Sequence, residues 1–148
     1  MGETHARIRE RELTGADKSA IRDAATVIML RDAGTTPRVL MGQRGAKAAF
    51  MPNKFVFPGG AVDAVDATVP LACPLNPDCD GRLRAMADPD LAPAIIAAGI
   101  REVWEETGLL LGRPGDWPME APKGWRGFAR TGHLPSPEGV HFIFRAIT

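Results

Sequence analysis

A chain of 148 residues suits one domain and can bury a modest core. Lys+Arg and Asp+Glu both number 18, so bulk charge draws it to neither nucleic acid nor a membrane surface. The chain holds no apolar run of about 18 residues that could span a bilayer, residues 1–18 lack the apolar core of a secretory signal, and two cysteines are too few for a disulfide framework, so a reducing cytoplasm is the expected setting.

Residues 1–22 are polar without an apolar period and read as a loose arm ahead of a single domain over 23–148. The apolar run at 24–30 predicts a buried strand. Gly34 and Pro37 turn the chain, and residues 38–43 predict a second strand, antiparallel to the first. Residues 54–57 make a short strand that stops at Pro58. Gly59 and Gly60 suit a tight turn, and they also leave backbone open to a metal or a diphosphate.

Residues 61–89 carry prolines at 70, 74, 77 and 89 and little apolar period, so a long, mostly non-helical excursion is expected. Such a segment is either a lid over a site or a spacer. Cys73 and Cys79 lie in it. Zinc needs four ligands and no second cysteine pair exists, which makes them solvated loop thiols.

A helix is predicted over 91–107. Asp88 or Asp90 would cap it, Pro89 or Pro93 suits its first turn, and Gly108 suits its end. Ile96, Ile100, Val103 and Thr107 share one face and should pack inward. Glu102, Glu105 and Glu106 are related by i, i+3 and i+4 on another. Like charges at that spacing repel by a few tenths of a kcal/mol. A cation between them removes the penalty, and oxygen-only ligands are what Mg²⁺ and Mn²⁺ prefer. The bland alternative is a solvated acidic face.

Arg101 can bridge to Glu105 along the helix, and Trp104 should pack in the core. Residues 123–131 suggest a short helix and 141–147 a strand. Trp117, Trp125 and Phe128 close a small local core or stack on a base, the core being favoured. His5, His133 and His141 show no ligand spacing.

Together, Phe57-Pro58-Gly59-Gly60 and Arg101-Glu102-Val103-Trp104-Glu105-Glu106-Thr107-Gly108-Leu109 resemble the Nudix hydrolases, whose box reads G-x5-E-x7-R-E-U-x-E-E-x-G-U, with U aliphatic. Residues 101–109 match at every specified position. Counting back from Arg101, Pro93 stands where the box has glutamate, and Ala87 where it has glycine. The mismatch reads as a long insertion, 61–89, between the glycine loop and the helix, as in the branch that includes coenzyme A diphosphatases. That branch shows a further pattern, L-L-T-x-R-[SA]-x3-R-x3-G-x3-F-P-G-G. Arg44 fills its first arginine, while its second falls on Ala49 and its glycine on Asn53.

The resemblance implies an α+β Nudix fold, a mixed sheet flanked by helices as an α/β/α sandwich. It also implies that the C-terminal part of the domain is missing from the chain. Its chemistry is metal-dependent hydrolysis of a nucleoside diphosphate linked to another moiety, coenzyme A-like, ADP-ribose-like or a dinucleotide. The cofactor would be Mg²⁺ or Mn²⁺. Glu102 and Glu106 would be the main metal ligands, Glu105 a second-ion or water-mediated one, and the Gly60 carbonyl a further one. Arg101 would orient a carboxylate, and Glu102 could also take a proton from the attacking water. Arg44, Phe57 and Gly59 would contact substrate. Assembly as a homodimer stays open. The rival reading is a Nudix module that grips a nucleotide without cleaving it.

Overall fold

The computed structural model describes residues 21–47 and 52–147. Most of the expected arm, together with His5 and Ala49, lies outside them.

Strand β1, Ala24–Thr26, pairs antiparallel with β6, Gly59–Ala61, placing Ala25 opposite Gly60 and Thr26 opposite Gly59. Val27 N–H to the Pro58 carbonyl (2.8 Å) and Val62 N–H to the Asp23 carbonyl (2.9 Å) extend the ladder at both ends. Residues 24–30 were expected to be buried throughout. Instead burial alternates, with Ala25, Val27 and Met29 turned inward and their neighbours exposed, so the run is a half-buried strand.

β2, Leu30–Arg31, pairs with β3, Arg38–Val39, and β4, Gly42–Gln43, pairs with β5, Phe55–Val56. The expected strand at 38–43 is thus split between two partners. The α+β class stands. The mixed sheet does not: the described strands form four two-stranded ladders, all antiparallel.

Residues 61–89 are more ordered than their prolines suggest. A 3₁₀ turn covers Ala64–Thr68, helix α1 spans Pro77–Met86, and a second 3₁₀ turn covers Pro89–Leu91. Pro77 stands in the first turn of α1, where its missing N–H costs nothing, and Asn76 caps that end by accepting from the N–H groups of Asp78 (3.0 Å) and Cys79 (3.3 Å). Proline here starts a helix. Cys79 and Leu83, one turn apart, form its buried side, so Cys79 is a core residue (1% exposed) and the solvated-thiol expectation fails for it. It holds for neither cysteine in full, since Cys73 is half-buried.

Helix α2, Ala92–Thr107, begins after the Asp88-capped turn and ends at Gly108, whose φ of 71° is the left-handed conformation that glycine adopts without a Cβ penalty. One face carries Gly99. A β-carbon there would lie 3.0 Å from Val27 Cγ2 and 3.4 Å from Ala25 Cβ, so the glycine sets how closely the helix approaches β1. Ile100 and Val103 are buried as expected, whereas Thr107 is exposed and donates its hydroxyl to the Val103 carbonyl (2.6 Å). Another face, with Ala97 and Ile100, packs on Trp125 and Phe128.

Beyond Gly108 the chain forms β7, Gly112–Pro114, helix α3, Arg126–Ala129, and β8, His133–Pro135, which pairs with β7. Trp117, Trp125 and Phe128 close a local core, as favoured from sequence, and Trp104 packs against it from α2. Trp125 and Phe128 meet edge-on at 5.4 Å between ring centres, Trp104 and Phe128 at 5.8 Å. Residues 141–147 do not form the expected strand. Arg82 of α1 donates to the Ile143 carbonyl (3.2 Å) and Arg145 to the Met86 carbonyl (2.5 Å), which ties this segment to the insertion.

Candidate functional site

The last two turns of α2 lie against β6, and this brings the two sequence motifs together. Glu106 Oε2 accepts from the Gly59 backbone N–H at 3.2 Å. The Glu102 carboxylate lies over Gly60 so closely that a β-carbon there would sit 2.5 Å from its Cδ. Glycine at 60 is a spatial requirement: its backbone is not in the left-handed region, so the tight-turn explanation is not needed. Gly59 is confined from the other side. A β-carbon on it would collide with the Ala25 carbonyl oxygen and come within 2.8 Å of Thr26 Cα.

Arg101 is the hub. Its side chain is 5% exposed, and its Nη1 donates to Glu102 Oε1 (2.7 Å) and Glu105 Oε2 (3.2 Å), the bridge expected along the helix. Nη2 donates to the Ala61 carbonyl (3.0 Å). Its main partner was not foreseen. Asp66, 1% exposed, takes Arg101 as a two-pronged pair, Oδ1 from Nε (3.0 Å) and Oδ2 from Nη2 (3.1 Å). The other capacity of that carboxylate is filled by Trp125 Nε1 on Oδ1 (2.9 Å) and the Asp63 N–H on Oδ2 (2.9 Å).

A signal for Asp66 was present in the sequence. It follows Gly60 by six positions, which is the G-x5-E spacing of the Nudix box with aspartate in place of glutamate. Counting back from Arg101 landed on Pro93 because the extra residues lie between Asp66 and Arg101, not between the glycines and the acid.

Burial works to lower the Arg101 pKa, but hydrogen bonds and charge from Asp66 and Glu102 outweigh it and hold the guanidinium more firmly protonated than usual. Glu102 shows the opposite balance. Its burial raises the carboxyl above the ordinary range, Glu105 and Glu106 add to the rise, and Arg101 opposes it.

Among the described residues no group of three or more His, Cys, Asp or Glu side chains is gathered closely enough to hold an ion. The donors nevertheless fit a hard divalent cation in kind. Carboxylates from one helix face meet a glycine strand with no side chain in the way, and every candidate ligand is oxygen.

The remaining residues lie outside the carboxylate helix and the glycine pair. Arg44 is exposed at the start of the loop between β4 and β5, its backbone paired with Lys54 and Asn53. Lys54 precedes Gly59 by five residues, a reach of up to about 17 Å. Asn53 has a positive φ of 59°, a conformation that glycine would take without strain. Phe57 is half-buried beside Pro58. His133 contacts Thr131.

No family model matches the chain. Over 107 residues, 72% of the chain, it is 36% identical to a Caenorhabditis elegans protein that carries the name nudix hydrolase 7, and it spans 28% of that relative's length. A solved NUDIX hydrolase from Alicyclobacillus acidocaldarius superposes with a TM-score of 0.54 at 26% identity, over 81% of this chain and 59% of that one.

Proposed function

We propose, from the premise that the chain belongs to the Nudix hydrolase superfamily, that it hydrolyses a nucleoside diphosphate linked to a second moiety, using Mg²⁺ or Mn²⁺. The observation that carries this reading is the meeting of the two motifs: Glu102 against Gly60 and Glu106 on the Gly59 N–H. A solvated acidic helix face would have no reason to seat its carboxylates on a glycine strand.

Glu102 and Glu106 would hold the cation, joined by the Gly60 carbonyl, with Glu105 at a second ion or through water. A bound divalent cation neutralises diphosphate charge and lowers the pKa of water. Arg101 keeps Glu102 and Glu105 aimed, since a planar guanidinium fixed along one edge leaves its other nitrogen a single direction. Water attacks one phosphorus, the bridging P–O bond breaks, and a carboxylate takes the proton released from the water. Glu102 is our choice for that proton. Arg44, Phe57 and Gly59 would face the substrate. Coenzyme A-like and nucleotide-sugar-like diphosphates rank above triphosphates, on the 101–109 match joined to Phe57-Pro58-Gly59-Gly60.

Glu106→Gln should cut Mg²⁺-dependent release of a phosphorylated product by at least about 100-fold. The substrates to assay are coenzyme A, ADP-ribose, NADH and dinucleoside polyphosphates. Unchanged turnover rejects the assignment. One observation favours the second reading, a module that binds nucleotides without cleaving them: Arg101 occupies an oxygen of both Glu102 and Glu105. Tight binding of a diphosphate by the unmodified chain, with no turnover in Mg²⁺ or Mn²⁺, would favour that module.

A further inference from the structure

We propose that Trp125 is a positioning residue for the carboxylate helix, acting through Asp66 and Arg101 on Glu102 and Glu105; this rests on the reading of those glutamates as a metal-holding set. Trp125 comes from the segment between β7 and α3, outside both motifs. Its ring is fully buried against Phe128 and Trp117, which a packing role alone would explain. Packing does not explain where its N–H goes. The indole nitrogen donates at 2.9 Å to Asp66 Oδ1, the oxygen that also receives Arg101 Nε at 3.0 Å.

An ionised carboxylate has about four acceptor positions. Those of Asp66 are filled by Trp125, by two nitrogens of Arg101 and by the Asp63 N–H. The aspartate therefore has little freedom to rotate. Because it grips Arg101 along the Nε–Nη2 edge, the direction of Nη1 toward Glu102 and Glu105 follows from it. The same loop touches the arginine directly, since Gly124, at φ 93°, lies close enough that a β-carbon on it would be 3.7 Å from Arg101 Cδ. Remove the indole N–H and one of the contacts fixing Asp66 is lost, in a site where no described buried side-chain polar atom lacks a partner.

Phenylalanine at 125 keeps the packing of a ring and donates nothing, so Trp125→Phe separates the two roles. We expect it to weaken Mn²⁺ binding about tenfold, to lower kcat by a similar factor without raising the substrate KM, and to shift or broaden the NMR signal of the Arg101 Nε–H. In an Asp66→Asn background the same change should add no further loss of Mn²⁺ affinity, because the route through Asp66 is already cut. A Trp125→Phe chain that loses only thermal stability, with Mn²⁺ affinity and the Arg101 signal as before, overturns the proposal.

Should that variant fail to fold, the unmodified chain supplies the test. Coupling is reciprocal, so Mg²⁺ should slow solvent exchange of the Trp125 indole N–H about tenfold more than that of Trp117, which donates to the His133 carbonyl in the same core. Equal slowing of both indoles would mean general stabilisation by the ion and would also overturn the proposal. An unmodified chain that neither binds Mn²⁺ nor cleaves any diphosphate defeats the proposed function, while the Arg101 signal still decides the link from Trp125.

Discussion

The Glu102 carboxylate occupies the space that a β-carbon on Gly60 would need, its Cδ 2.5 Å from that position. The two residues are far apart in sequence and belong to different motifs. Their contact makes the pair one unit, in which the absence of a side chain on the strand is what admits the acid from the helix.

Alanine scanning of the glycine pair should therefore give unlike results. At Gly60 the obstacle is the end of a flexible side chain, so Gly60→Ala should fold with little change in Tm while displacing Glu102. We expect a loss of Mg²⁺-dependent turnover of about 100-fold. At Gly59 the obstacle is backbone, the Ala25 carbonyl and Thr26 Cα. Gly59→Ala must part the β1–β6 ladder and should destabilise by ~1–3 kcal/mol. Urea melts and turnover measured on both variants check this. A Gly60→Ala chain with full activity would show that Glu102 does not need its place.

The Arg101–Asp66 pair predicts a different failure. Both groups are buried, so removing one leaves the other's charge without its main partner. Asp66→Ala should cost ~3–5 kcal/mol, far above the ~0–1 kcal/mol of an exposed pair such as Arg113–Glu138. Arg101→Lys keeps the charge but not the fork, and should lower turnover more than it lowers stability. Equilibrium unfolding of Asp66→Ala beside Glu138→Ala measures the contrast. Equal costs would show that burial of the pair carries no special weight.

The glutamate helix was legible in the sequence because its signals are local. The i, i+3, i+4 spacing and the glycine at 108 need no knowledge of the rest of the chain. Asp66 was missed because its role is set by two partners, Arg101 and Trp125, that only the fold brings to it. Pro77 counts toward a non-helical excursion when read from sequence, whereas it starts α1 after the capping Asn76, just as Pro89 starts a helical turn after Asp88, the place expected of it. Strand prediction failed for 141–147 because an apolar pattern forms a strand only beside a partner. There the Ile143 carbonyl is taken by Arg82 instead, and Ile143, Phe144 and Ile147 stay exposed.

Thiol chemistry tests the helical reading of the insertion. Cys79 is buried on α1 and Cys73 is half-buried near Ser136, 3.9 Å between Sγ and Oγ. In the folded chain a thiol reagent should modify Cys73 first and Cys79 only with unfolding. Cys79→Ala should cost ~1–2 kcal/mol as the loss of a small buried hydrophobe. Two thiols reacting together and fast would place Cys79 in a solvated loop after all.

The same helix bears on the choice between a lid and a spacer. α1 rests on the Pro89–Leu91 turn and on α2, and its Asp80 and Arg84 line a cavity with Pro93 in the first turn of α2. Glu105 lies thirteen residues beyond Ala92, a rise of about 20 Å. On that placement we expect α1 to brace the base of the helix rather than to cover its carboxylates. It is the start of the insertion that reaches the site, through the Ala61 carbonyl, Asp63 and Asp66 of the Ala64–Thr68 turn. Excising residues 66–86 would therefore remove the partner of Arg101 and could not test for a lid. Leu83→Ala is the cleaner probe. It should destabilise the fold by ~2–5 kcal/mol, because Leu83 is buried (3% exposed) on the inner side of α1. Mn²⁺ affinity of the folded fraction should stay within about twofold of the unmodified chain, since sites this far apart with no shared partner act independently. A large change in affinity or in substrate choice would put α1 over the site and restore the lid.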